Sequence, residues 1–432
     1  VTDTAIMLFT RDLRVRDNPA LAAARDAAKR VVPLFVFDDA LLARSPNRTR
    51  FLLDCLADLG DALVLRRGDP AAEAARLARA TGAQAVFLAD DVSRTARRRR
   101  AALEDAAARD GFEVSFHPGL TVVPPGEVTP SGGDHYRVFT PYWRAWEKTA
   151  FREPAPTVRL KAADVPGRRA DPATIARKFA RGASPDLPRG GETEARARLR
   201  AYLGGGLDRY GDERDAPAAD ATSRLSGYLR FGCLSPLEVV TAAREHGGAD
   251  EFVRQVAWRD FYHQILAAFP DLPRADYRRP GPPWRDDAAA LDAWRDGRTG
   301  VPIVDAGMRQ LRREGWMHNR VRLITATYLT RFLRVDWRAG LAHFDRWLVD
   351  GDAADDPGNW QLVAGTGNTS RPNQYLNPLR QARRFDRDGA YVRRYVPELA
   401  DLDRRDVHTP WRLDALPAGY PAPLTDPADL DG

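Results

Sequence analysis

Short apolar runs alternate with helix-length amphipathic stretches over the first part of the chain. The runs are Ala5–Phe9, Val31–Phe37, Ala62–Leu65 and Ala85–Ala89, and the stretches between them, such as Asn18–Arg30 and Pro70–Thr81, are rich in Ala, Leu and Arg. Continuous apolar strands separated by helices imply a parallel sheet covered on both faces. Residues 1–125 are therefore expected to form a Rossmann-like, doubly wound α/β domain. No GxGxxG follows the first strand, which argues against ordinary dinucleotide binding there.

From 126 to 191 the pattern dissolves into Pro, Gly and Arg with an aromatic cluster at Tyr142, Trp143 and Trp146, and this stretch is expected to be a long interdomain linker on the surface. Residues 192–432 return to helical spacing, with Pro/Gly breaks at 204–206, 270–283 and 357–372. No repeat of 20–50 residues is visible, so a solenoid is disfavoured and an all-α domain is expected. The fold class predicted is α/β plus all-α.

Composition narrows the classes. A chain of 432 residues has material for two or three domains. No apolar run approaches the roughly 20 residues of a membrane helix. The N-terminal segment enters a strand-like run with no export signal, and two cysteines, Cys55 and Cys233, suit a reducing compartment without offering a zinc site of usual spacing. A cytoplasmic protein without membrane or metal is expected. The net charge of +6 allows a polyanionic partner, although scattered arginine is more often solvated surface.

Candidate chemistry concentrates between Gly315 and Pro378. A helical pattern carrying Asn319, Arg320 and Arg322 leads to Trp337, an Asp350-Gly351-Asp352 turn, then Asp355, Asp356 and Trp360, and an irregular segment closing at Asn377-Pro378. An arginine in an apolar stripe and acids beside a tryptophan indicate charges that meet a ligand or each other, with Arg322 expected to pair with the Asp350–Asp352 turn. Upstream, Thr222-Ser-Arg-Leu-Ser226 places hydroxyls and a cation at a helix start, which binds phosphate or merely caps the helix, with Tyr210 and Arg214 just before it. Phe252, Gln255, Trp258, Arg259 and Tyr262 recur by threes and fours on one helix, a set suited to holding a flat heteroaromatic; His263 is expected at the surface. Eight of the ten tryptophans lie at or after Trp258, where core packing competes with a redox role.

LFTRDLRVRDNPAL, TSRLS, AWRDFYHQ, GRTGVPIVDAGMRQL, GWMHNRVR, DGDAADDPGNWQ and NPLRQARRFD, in this order over almost the whole chain, resemble the photolyase/cryptochrome family, nearest to photolyases acting on cyclobutane pyrimidine dimers. The resemblance implies an antenna α/β domain, a helical domain holding FAD, and light-driven electron transfer to DNA containing pyrimidine dimers, carried out by a monomer. It implies flavin contacts at Tyr210, Thr222, Ser223, Arg224, Leu225, Ser226, Phe252, Gln255, Arg259, Asn319, Arg322, Asp350, Asp352 and Asp356. It further implies an electron-transfer row of Trp360, Trp337 and Trp284, and lesion or DNA contacts at Arg214, Trp258, Arg259, Asn319, Arg320, Leu362 and Gln381, with Gln255 also on the lesion side. A second, antenna chromophore, deazaflavin or methenyltetrahydrofolate, is implied near Phe35–Asp39 or Ala89–Arg94.

Three residues depart from the best-known dimer photolyases: Gln255 replaces a glutamate, Leu362 a tryptophan, and Asp356 the asparagine that faces flavin N5. Aspartate there resembles plant cryptochromes, in which a protonated carboxyl donates to the reduced flavin. Repair is the expectation, helped by the lack of an extended tail after Pro427; a blue-light photoreceptor with weak or no repair is the alternative.

Overall fold

The computed structural model describes residues 2–368 and 375–431, so the middle of the irregular segment before Asn377 lies outside the described residues. Strands β1 (Thr2–Leu8), β2 (Ala28–Phe37), β3 (Val64–Arg67), β4 (Ala85–Ala89) and β5 (Glu113–His117) form one sheet of order β3-β2-β1-β4-β5. Every pairing is parallel. Alternate residues serve opposite faces. Ile6, Leu8, Val32, Leu34 and Val36 share a core with Ala74, Leu77 and Leu103. Those last three come from α2 (Pro70–Thr81) and α3 (Arg94–Asp110), whereas α1 (Pro19–Ala27) packs on β1, β2 and β4. Asn18, Asp69 and Ser93 cap the three helices by accepting backbone N–H groups, which is why each begins where it does. The fifth strand escapes sequence reading because EVSFH is short, polar at alternate positions and only half-buried at the sheet edge.

The chain separates into two compact units. The first takes in the sheet, residues up to 183, 188–208 and 223–270; the second takes in 184–187, 209–222 and everything from 271 onward. Compactness thus divides the chain at other positions than composition suggests. The stretch 126–191 is not merely a surface connection: it contains helices Phe139–Trp146 and Pro172–Phe179, with Tyr142 and Trp146 buried. What ties it down is Asp260, whose carboxylate accepts from Val122 N, Val123 N and Trp146 Nε1 at 2.9–3.0 Å.

Within the first unit, the loop after β1 buries Arg14, whose guanidinium donates to the carbonyls of Asp17, Gly119 and Gly232. Gly232 ends α4 (Ser226–Phe231) at φ +69, and a Cβ there would overlap the Arg11 carbonyl. Cys55 and Cys233 are buried free thiols with sulfurs 3.2 Å apart.

Gly232→Ala should destabilise the protein by on the order of 3 kcal/mol, because left-handed strain adds to a backbone overlap. Gly82→Ala, at φ +65 with open space around it, should cost only about 1 kcal/mol. Urea unfolding of the two variants checks the contrast.

Candidate flavin and electron-transfer site

In the second unit, α6 (Asn319–Thr327) is capped by His318, whose Nδ1 accepts from Arg320 N at 3.2 Å. Burial holds the His318 ring well down, at about 4, so it stays neutral and able to accept. One turn along, Arg322 donates Nε to the Met317 carbonyl (2.8 Å) and Nη2 to Asp350 (2.7 Å), the pairing that the sequence predicts. Asp352 accepts from the N–H groups of Ala354 (2.8 Å) and Asp355 (3.3 Å), and its own N–H donates to Asp356 at 3.1 Å. Burial pushes the Asp356 carboxyl up to about 7, Asp350 and Asp352 push the same way, and Arg322 opposes them. One guanidinium thus faces Asp350, Asp355 and Asp356, and the last of them keeps a proton close to neutrality.

Asp356 and Trp360 lie on α8 (Asp355–Ala364). The expected break from 357 does not occur there: Pro357 falls in the first helical turn, where its missing N–H breaks no bond. Trp360 is 3% exposed and its ring rests on Gly340 of α7 (Trp337–Trp347), where an added Cβ would overlap the indole. Trp337, one turn before Gly340, is 0% exposed, and Trp284 packs partly buried against the same core. Of the three indoles, Trp360 and Trp337 are enclosed and Trp284 is half-buried. Leu362 is half-buried on α8.

Tyr210 and Arg214 stack, the guanidinium 5.8 Å from the ring centre. Arg320 pairs with Asp215 at 2.7 Å and covers the Phe385 ring at 4.7 Å. Phe385 ends α9 (Pro378–Phe385), which exposes Arg380, Arg383 and Arg384 and carries Gln381 half-buried. Asn319 is exposed.

In the first unit, Ser223, Arg224 and Leu225 lead into α4 with Arg224 at φ +51, a left-handed conformation unusual for arginine and the kind of strain that gathers at binding sites. On α5 (Asp250–Ala268), Phe252, Arg259 and Tyr262 are buried and Gln255 is exposed. Arg259 donates Nη1 to the Leu120 carbonyl, and Trp258 stacks on Phe139 at 3.7 Å. His263 is not at the surface: it is 2% exposed, its Nδ1 2.9 Å from the Arg259 carbonyl, because α5 is buried on nearly every side. Sequence reasoning missed Asp276, which accepts the Trp337 indole N–H at 2.9 Å from 61 residues away; no local pattern announces it.

The profile described as the FAD binding domain of DNA photolyase matches residues 252–430, and that described as DNA photolyase matches residues 5–160. A deoxyribodipyrimidine photo-lyase of Streptomyces griseus is 48% identical over 98% of this chain and 97% of its own. The chain belongs to the DNA photolyase family. Among solved structures, a class III photolyase of Agrobacterium tumefaciens matches with TM-score 0.90 at 33% identity, covering 100% of this chain and 96% of that one. A cryptochrome of Synechocystis matches with TM-score 0.92 at 26% identity, covering 100% and 98%. FAD is the family's cofactor, and two atoms of the second unit bear on how it could be held. Thr222 Oγ1 and Asp350 Oδ1 are buried hydrogen-bonding atoms with no partner among the described residues, and both lie at positions where the family motif expects flavin contacts. Buried polar atoms are normally satisfied, so these two fit a polar ligand.

Because the Asp356 carboxyl rises from 3.8 to about 7 on folding, the native state binds its proton more tightly than the unfolded chain. Stability contributed by that proton is therefore present at low pH and lost as pH rises through about 7. Urea unfolding of flavin-free protein should show a fall on the order of 2 kcal/mol between about pH 5 and 8, and Asp356→Asn should flatten it.

Proposed function

We propose that this photolyase-family chain splits cyclobutane pyrimidine dimers in DNA, using light to drive an electron from reduced FAD to the lesion and back. The observation that carries repair over signalling is the cationic face of α9, Arg380, Arg383 and Arg384, joined through Phe385 to Arg320. Such a face attracts a phosphate backbone in a salt-dependent way. Chemistry on a base inside a duplex requires that the base be turned out into a pocket, and a damaged pair costs less to unstack than a sound one. Gln255, Trp258, Arg259, Asn319 and Arg320, with Leu362 forming a wall, are assigned to the flipped dimer, and Arg214 and Gln381 to the strand. Gln255 donates a hydrogen bond to a pyrimidine carbonyl but delivers no proton.

FAD supplies the light-absorbing electron donor. Around it, Arg322 is assigned to the ring, held in place by Asp350; Thr222, Ser223, Arg224, Leu225 and Ser226 to the phosphates; and Tyr210, Phe252 and Asp352 to the remaining surface. Trp360, Trp337 and Trp284 pass electrons inward to restore the reduced state. The carboxyl ends of β2 and β4, which flank β1 where the strand order reverses, carry Phe35–Asp39 and Ala89–Arg94 and are assigned to an antenna chromophore.

A photoreceptor is the second reading, and Asp356 favours it: a carboxyl that keeps its proton near neutrality can donate to a reduced ring. Illumination of reduced protein with a dimer-containing oligonucleotide separates the two. Recovery of thymine absorbance is expected, and full flavin reduction without recovery points to the sensor. Asp356→Asn should raise the repair yield. Arg383→Ala and Arg384→Ala should each weaken DNA binding regardless of sequence and lower the salt slope by roughly 1.

A further inference from the structure

Trp337 has no exposed surface, and its indole N–H is donated to Asp276 Oδ1 at 2.9 Å. The same oxygen accepts Arg338 Nη2 at 2.9 Å, while Asp276 Oδ2 accepts Gly281 N at 2.9 Å. Arg338 is itself fixed by the Arg274 carbonyl (2.6 Å) and by Asp336 (3.1 Å), and its guanidinium carbon lies 4.5 Å from the Trp337 ring centre. A middle tryptophan of an electron-transfer row is thus enclosed between one carboxylate on its N–H and one cation over its face. The Asp276 side chain is 19% exposed, so it touches both the buried indole and solvent.

We propose that Asp276 is the base that takes the Nε1 proton of Trp337 when that indole is oxidised; this rests on the electron-transfer row proposed above. Removing one electron from Trp337 toward Trp360, with the photoexcited flavin as the oxidant, leaves an indole radical cation, which is far more acidic than indole. The Arg338 charge over the ring makes that cation still less favourable. The N–H bond breaks, its electron pair stays on nitrogen, and the proton forms an O–H bond on Asp276 Oδ1. The products are a neutral indolyl radical and a carboxylic acid, with total charge unchanged. When Trp284 refills Trp337, the proton returns from Asp276 to Nε1. Asp276 therefore determines how long oxidation rests at Trp337 before moving to the more accessible Trp284.

Holoprotein carrying Trp284→Phe halts oxidation at Trp337, and flash absorption then reads the radical directly. The neutral-radical band is expected, arriving more slowly in D2O than in H2O. Adding Asp276→Asn should abolish that band, leave the radical-cation band in its place, speed its return to baseline and remove the solvent isotope effect. Asp276→Glu should restore the neutral band. Arg338→Met, which keeps the base and removes the cation, should retain it even if the Asn variant binds flavin poorly. A neutral radical forming in Asp276→Asn at the parent rate overturns the assignment of Asp276. Absence of any tryptophan radical in the Trp284→Phe parent, with flavin bound, overturns instead the electron-transfer row.

Discussion

The second unit is arranged around a charge imbalance: Arg322 stands among Asp350, Asp355 and Asp356. A guanidinium set into a helix wall needs an anion, and Asp350 supplies it at 2.7 Å. Burial withholds solvent from the Asp356 carboxyl and the neighbouring acids add to the effect, so it keeps its proton up to about pH 7 despite Arg322. The acids come from a turn and from the first turn of a helix, where backbone N–H groups have no partner within the helix and can satisfy them. Asp352 accepts two such groups and donates its own to Asp356. This is why an otherwise helical unit opens into irregular chain between α7 and α8.

Electron transfer makes different demands from binding. A ligand wants polar atoms left partly unsatisfied, as Thr222 and Asp350 are, whereas indoles in the electron-transfer role proposed for Trp360 and Trp337 want dense packing and controlled charge. Trp360 and Trp337 are enclosed in one core cluster, and the polar contact to Trp337 comes from the Asp276–Arg338 pair at the edge of that core. Placing the ion pair at the edge limits the cost of desolvating it.

Periodicity is a good guide wherever apolar or aromatic residues run continuously or recur at a regular spacing. The parallel sheet, α2 over Pro70–Thr81 and the helix carrying Gln255 and Arg259 all follow from it. It fails where context overrides spacing. Strand β5 is too short and too polar to be recognised alone, Pro357 resembles a break but lies in a first turn, and Tyr328–Phe332 forms a π-helical turn where the pattern suggests a continued α-helix. His263 is buried because its helix is surrounded, which no local window reveals. The Arg322–Asp350 pair is legible in its motif; the Asp276 contact to Trp337, between segments 61 residues apart, is not.

Gly340 sets how closely α7 approaches the Trp360 ring. The six-membered edge of the Trp360 indole lies where any other residue would carry its first side-chain carbon. The missing methyl thus acts as a spacer of zero thickness between α7 and the indole. An alanine there would have to tilt the ring or move the helix, so one methyl group governs the placement of an indole that lies twenty residues further along the chain.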